Sequence, residues 1–233
     1  MSILTTHVGS LPRPKNVSDL LFKRENNEVY EQKYFDEVIA NGVYEVVKKQ
    51  IDIGIDIISD GEMSKISYAT YVKDRYNGFA GDSERNPPLD LEKFPNYMKK
   101  IADSGGTPTY SRPCCVSEIT SKHNNDLSND INNLLSASKK LEHENVFMNS
   151  ASPGVISLFL SNSYYSSRND YLDAISKAMK VECETIVRSG IKLQLDCPDL
   201  ALSRHMTFKS KSDEDFIKIA YQNMEILNQS LHK

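Results

Sequence analysis

Only four cysteines occur in the 233 residues, an adjacent pair at Cys114 and Cys115 and two scattered thiols at Cys183 and Cys197. That spacing makes neither a disulfide framework nor a Cys-x-x-Cys metal or redox site, so the thiols are expected to be reduced. No apolar run approaches the roughly 20 residues needed to cross a bilayer. Met1 to Ser10 has neither the basic nor the apolar region of a secretory leader. The sequence therefore predicts no membrane partner and a cytoplasmic location. Positive charge is not in excess: 28 basic and 32 acidic residues are well mixed and leave a net charge of −4, with no stripe for nucleic acid. Gly-x-Gly-x-x-Gly, Gly-x-x-x-x-Gly-Lys and His-x-x-x-His patterns are all absent. Small molecules remain as the expected ligands.

What is present is an alternation of β-branched runs with amphipathic ones. Ile3 to Val8 reads as a strand running into Gly9-Ser10-Leu11-Pro12-Arg13-Pro14, a segment that its prolines make extended. Between Tyr34 and Ile53, residues Phe35, Val38, Ile39, Val43, Val46, Val47 and Ile51 recur at helical spacing, and Gly54 ends the pattern. Ile55 to Ser59 predicts a second strand closing at Asp60-Gly61-Glu62, with a helical pattern from about Ser64. A proline- and glycine-rich excursion covers about 78–113. Cys114 to Ile119 then reads as a third strand before a helix from Leu127 to Glu142, and Asn145 to Asn149 as a fourth before a helix from Tyr171 to Arg188. Ile191 to Leu195 reads as a fifth, followed by a helix from Ser212 to Leu231. Five such units predict a parallel α/β fold, a single domain over 1–233, either a doubly wound sheet or a (β/α)8 TIM-barrel type cut after about five units. Glycines of a dinucleotide site are missing after the first strand, which disfavours the doubly wound form. A barrel cut short would leave strand edges open, and self-association through them is expected.

Ligands of parallel α/β folds bind at the carboxyl ends of strands, and the polar residues gather there in the sequence. Ser10 follows strand one, Asp60 and Glu62 strand two, Ser152 strand four, and Asp196 with Asp199 strand five; Arg112 stands just before strand three. Such carboxylates hold ammonium groups, bind metals or act as bases, or else cap helices. Capping is sufficient explanation for Asp60 and Asp199, whereas Glu62 and Asp196 are the stronger ligand candidates. His7 reads as structural or substrate-touching, Arg204 and His205 as an anion contact or a solvated loop, and Tyr68, Tyr71 and Phe79 as packing or a stacking surface. One of Cys114 and Cys115 is expected to point inward.

Read in order, Thr5-Thr6-His7-Val8-Gly9-Ser10-Leu11-Pro12-Arg13-Pro14, Ser59-Asp60-Gly61-Glu62-Met63, Ser111-Arg112-Pro113, Ser152-Pro153-Gly154-Val155 and Leu193-Gln194-Leu195-Asp196-Cys197-Pro198-Asp199-Leu200-Ala201 resemble the catalytic barrel of the cobalamin-independent methionine synthase family, in particular its short single-barrel relatives. The resemblance implies a zinc-activated homocysteine thiolate that takes a methyl group from a folate to give methionine. It implies that Val8, Gly9 and Ser10 contact the amino acid, that Glu62 and Asp196 bind its ammonium group, and that Arg112 belongs to the folate segment.

The family's zinc ligands, a His-x-Cys pair, a glutamate and a further cysteine, follow the sixth strand and are not in this chain, which also lacks the folate-stacking tryptophan; Phe159 or Leu160 stands nearest its place. No metal ligand is therefore assigned here. Related zinc thiol-alkyltransferases acting on coenzyme M, and a non-catalytic truncated product that needs a partner, are the other readings.

Overall fold

The computed structural model describes residues 3–83, 89–103 and 112–231. Ser111 of the expected folate segment lies outside them, as does the tip of the excursion. The chain forms two compact units, one from Met1–Arg75, Ser121–Ser150 and Val181–Leu195, the other from Tyr76–Thr120, Ala151–Lys180 and Asp196–Lys233.

The first unit holds helices α1 (Lys15–Glu25), α2 (Gln32–Asp52) and α3 (Val72–Arg75) and, after the segment given to the second unit, α6 (Asp126–Lys140). The periodic positions of α2 are the buried ones: Phe35, Val38, Ile39, Val43, Val46 and Val47 all face the core. They pack with Leu20 and Leu21 of α1, Leu134 of α6, and Ile58, Met148 and Ile186. Each such side chain contributes roughly 1.5–3 kcal/mol by leaving water.

Strands β3 (Phe147–Ala151) and β4 (Lys192–Asp196) pair with each other. The bonds Lys192 N to Val146 O and Ser152 N to Asp196 O advance the same way along both chains, so the pair is parallel. Ile58 forms a parallel bridge to Val146, and Ile57 N donates to Thr5 O at 3.0 Å. The parallel run is thus Ile58, then β3, then β4, with the segment around Thr5 hydrogen-bonded beside Ile57. All five residues of β3 are buried, as in a strand covered on both faces.

Three expectations are corrected. Cys114–Ser121 is a strand, β2, but it joins β1 (Tyr76–Ala80) in a separate two-stranded sheet, so the recorded parallel pairing among the described residues joins three members, Ile58, β3 and β4, and not five. Side-chain and backbone contacts pair Asn77 with Thr120 and Ser83 with Arg112, which makes this sheet an antiparallel hairpin. Its physical signature is exposure: most β2 side chains face water, unlike those of β3. Second, Ile3 to Val8 is no regular strand; Ile3 and Val8 are 93% and 72% exposed, and the segment is held at Thr5, by Ile57 and Asp56, at Thr6, by Ile57 O, and at His7, by Ser59. Third, the helix expected from Ser64 is a run of turns ending in the single turn of α3, whereas α1, masked in the sequence by the prolines before it, starts directly after Pro14. The remaining helices start and end within a few residues of expectation.

The second unit contains, besides the hairpin, α4 (Leu89–Glu92), α5 (Pro95–Asp103), α7 (Pro153–Phe159), the larger part of α8 (Arg168–Arg188), as far as Lys180, and α9 (Asp213–Leu231). Ser152 caps α7, accepting from Val155 N at 3.1 Å, and Pro153 occupies the first helical position.

Candidate functional site

In the first unit the loop after Ile58 turns through two successive left-handed residues, Gly61 at φ +61° and Glu62 at φ +57°. Glycine takes that conformation without strain; glutamate does not, and a strained non-glycine residue needs its surroundings to hold it. Here they do. Asp60 Oδ1 accepts from Glu62 N at 3.0 Å, Arg13 Nη2 donates to the carbonyls of Glu62 at 2.9 Å and Lys65 at 2.7 Å, and Leu11 N donates to Gly61 O at 3.1 Å.

This backbone presents the Glu62 carboxylate, 1% exposed, to two neutral donors. Ser10 Oγ donates to one oxygen and Asn149 Nδ2 to the other, while Lys65 Nζ donates to Asn149 O at 2.8 Å. The geometry brings Ser10 and Glu62 together, though they are far apart in sequence. A buried carboxylate served by neutral groups has room in its lone pairs for a cationic donor. Val8 and Gly9 flank Ser10 on its exposed side.

Asp60 is 1% exposed, and burial raises its pKa, with Lys65 opposing; its Oδ1 accepts from the Glu62 amide and closes the turn, and no helix starts here for it to cap. His7 lies with Nε2 3.3 Å from Ser59 Oγ; burial lowers its pKa, with Glu62 opposing, so the ring is neutral near pH 7. Tyr71 belongs to a buried charged cluster with Arg75, Asp130 and Glu182.

In the second unit Asp196 ends β4, its carbonyl accepting from Ser152 N at 3.1 Å. Asp199, 2% exposed, accepts from Ser152 Oγ and Asn223 Nδ2, both at 2.7 Å, and is an internal tie between α7 and α9. Arg112 donates its amide to Asp82 at 2.7 Å, and its guanidinium lies 4.9 Å from the centre of the Phe159 ring, a cation–π approach. Arg204 is held by Asp213 and by the carbonyls of Phe208 and Lys209, closing its own loop. Cys115 is buried and Cys114 partly exposed, the alternation expected of a strand.

The resemblance implies zinc. No group of three His, Cys, Asp or Glu side chains is gathered among the described residues. The thiols are scattered and, among the described residues, not grouped with other ligand side chains, and burial pushes the Cys115 thiol up to about 11, the Cys183 thiol up to about 12, and the Cys197 thiol upward. These residues do not fit a zinc site, and no step below is routed through a metal. Sequence reasoning missed Asn149, which sits mid-strand in β3 and whose need of a partner follows from its burial there and not from any local pattern.

Against this geometry the comparisons can be set. Residues 3–86 match the family described as "Cobalamin-independent synthase, Catalytic domain". The chain is 28% identical over 196 residues to a methionine synthase of Sulfolobus acidocaldarius, covering 83% of this chain and 51% of that protein. It is 24% identical over 201 residues to a methionine synthase of Saccharolobus islandicus, covering 86% and 54%. It spans about half the length of these relatives. Among solved structures, a B12-independent methionine synthase from Shewanella sp. W3-18-1, in complex with selenomethionine, superposes with a TM-score of 0.67 at 16% identity over 98% of this chain and 57% of the other. At that identity the likeness speaks for the fold, of the TIM-barrel type.

Proposed function

Because this chain is a relative of the cobalamin-independent methionine synthases, we propose that it provides amino-acid-binding groups for methyl transfer from a folate to the sulfur of homocysteine, a step of methionine biosynthesis. The observation that carries the proposal is the Glu62 carboxylate, buried and hydrogen-bonded, among the described residues, by the neutral side chains of Ser10 and Asn149, with the Arg13 guanidinium near enough to feel its charge. An α-ammonium group would add a direct cationic partner, and each charge-assisted hydrogen bond it makes is worth roughly 1.5–3 kcal/mol. Val8, Gly9, Asp196 and Arg112 are proposed as substrate contacts on the resemblance: the first two for the amino acid, Asp196 for its ammonium, Arg112 for the folate.

In the transfer, the folate N–CH3 bond breaks as the sulfur–methyl bond forms, the thiol gives up its proton, and the demethylated folate nitrogen takes one up. The chain's own share is to orient the amino acid by its ammonium end so that sulfur, at the other end, meets the methyl group in line. Isothermal titration of the purified chain with methionine and homocysteine tests the binding role. Glu62→Gln keeps the shape and removes the charge, and is expected to weaken binding by roughly tenfold, with Asp196→Asn doing the same. Unchanged affinity in Glu62→Gln removes the basis of the proposal.

A further inference from the structure

A cavity of about 240 Å³ in the second unit has no part in the site above. It lies among α7, the first turn of α8, the 203–208 loop and α9, and among the described residues its one lining cation is Arg168, the first residue of α8. Arg168 Nη1 donates to Gln222 Oε1 at 2.7 Å and Nη2 to Asn223 Oδ1 at 2.5 Å, so both partners are neutral amides. Its nearest acid, Asp199, has its oxygens engaged by Ser152 and by the amide nitrogen of that same Asn223. Asp199, itself in the cavity wall, is linked to Arg168 by hydrogen bonds through Asn223 and also feels its charge. Of the five N–H groups of a guanidinium, two are used here.

The remaining walls complement an apolar body. The Phe208 ring centre is 5.7 Å from the Arg168 guanidinium carbon, and Leu158 and Tyr171 line the same space. Tyr171 donates its hydroxyl to Leu160 O at 2.6 Å, and the hydroxyls of Ser157 and Ser161 donate to Gly154 O at 2.8 Å and Cys114 Sγ at 3.1 Å. These polar tips are satisfied by the protein, which leaves Arg168 as the donor with unspent N–H groups. Burial lowers the Arg168 pKa, with Asp199 opposing; a partly desolvated cation without a direct carboxylate partner gains most from an incoming anion. A benzene molecule fills a cavity of roughly 150 Å³, so the space here takes a six-membered ring with a short acidic substituent.

We propose that this cavity binds a small organic carboxylate with a flat apolar body, recognised by Arg168. The site is independent of the amino-acid role assigned to Glu62, and each stands or falls by its own titration. Benzoate is the probe, with the isosteric neutral amide benzamide as control, followed on the purified chain by calorimetry and by chemical-shift changes of the Phe208 ring. Wild-type protein is expected to favour benzoate over benzamide by roughly tenfold or more, and Arg168→Met to lose that preference. The comparison of the two ligands on unmutated protein stands even if the variant does not fold. Equal affinity for the two, no benzoate binding at about 10 mM, benzoate shifts that leave Phe208 unmoved, or an undiminished preference in Arg168→Met overturns the proposal.

Discussion

Glu182 offers the sharpest test of how the first unit is held together. Its carboxylate, 0% exposed, accepts from Arg75 Nη1 and Tyr71 Oη at 2.5 Å and from Ser150 Oγ at 2.7 Å, and Arg75 turns its other end to Asp130 at 2.5 Å. Removing one partner of a buried pair costs about 3–5 kcal/mol, because the other charge stays buried without compensation. Glu182→Ala leaves Arg75 with Asp130 alone and strands two hydroxyl donors, so a loss at the upper end of that range is expected, a third or more of the roughly 5–15 kcal/mol that holds a typical domain. Glu182→Gln keeps an acceptor for Tyr71 and Ser150 and should cost less, by about 1–3 kcal/mol.

The pH dependence carries a sign. Burial works to raise the Glu182 pKa, but Arg75, Lys65 and the two hydroxyls outweigh it and hold the carboxyl below its ordinary 4.5. A depressed acid stabilises the fold above its unfolded pKa and loses that stabilisation as pH falls through the folded one. The gap in urea midpoint between wild type and Glu182→Gln should therefore narrow below about pH 4.5, since the glutamine has nothing to protonate. Urea titrations by circular dichroism at pH 7 and at mildly acid pH read both effects. A Glu182→Ala loss below about 1 kcal/mol, or an equal loss in the glutamine variant, refutes the reasoning.

Other tests bear on separate parts of the chain. A Cβ at Gly154 would sit 2.0 Å from Asp199 Oδ2 and 2.7 Å from Asn223 Nδ2, so Gly154→Ala should destabilise by about 1–3 kcal/mol in thermal unfolding, and a neutral outcome would show the Asp199 tie to be loose. With thiols raised to about 11 and about 12 by burial, Cys115 and Cys183 should resist iodoacetamide at pH 7 until the chain is denatured; fast native labelling at either, read by peptide mass analysis, contradicts their placement. Glu62→Gln in the methionine titration and benzoate selectivity at Arg168 complete the set.

The sequence by itself determined the helices whose apolar spacing is unbroken, α2, α6, α8 and α9, because a 3.6-residue period has one physical reading when one face must be buried. It also determined the loop after Ile58: Asp60, Gly61 and Glu62 mark a tight turn at a strand end by residue type alone, and Ser10 and Glu62 were legible as partners because parallel strands send their carboxyl ends to one side. Tertiary structure decided what short-range pattern leaves open. Cys114–Ser121 has the composition of any β-strand, and only its pairing with Tyr76–Ala80 separates a hairpin from a fifth barrel strand. Whether Asp60 and Asp199 cap or bind depended on which donors reached them, and those donors, Ser152 and Asn223 for Asp199, come from far along the chain. Asn149 gained its role the same way: nothing local distinguishes it until folding buries it against Glu62, where an unpaired amide would cost about 1–3 kcal/mol.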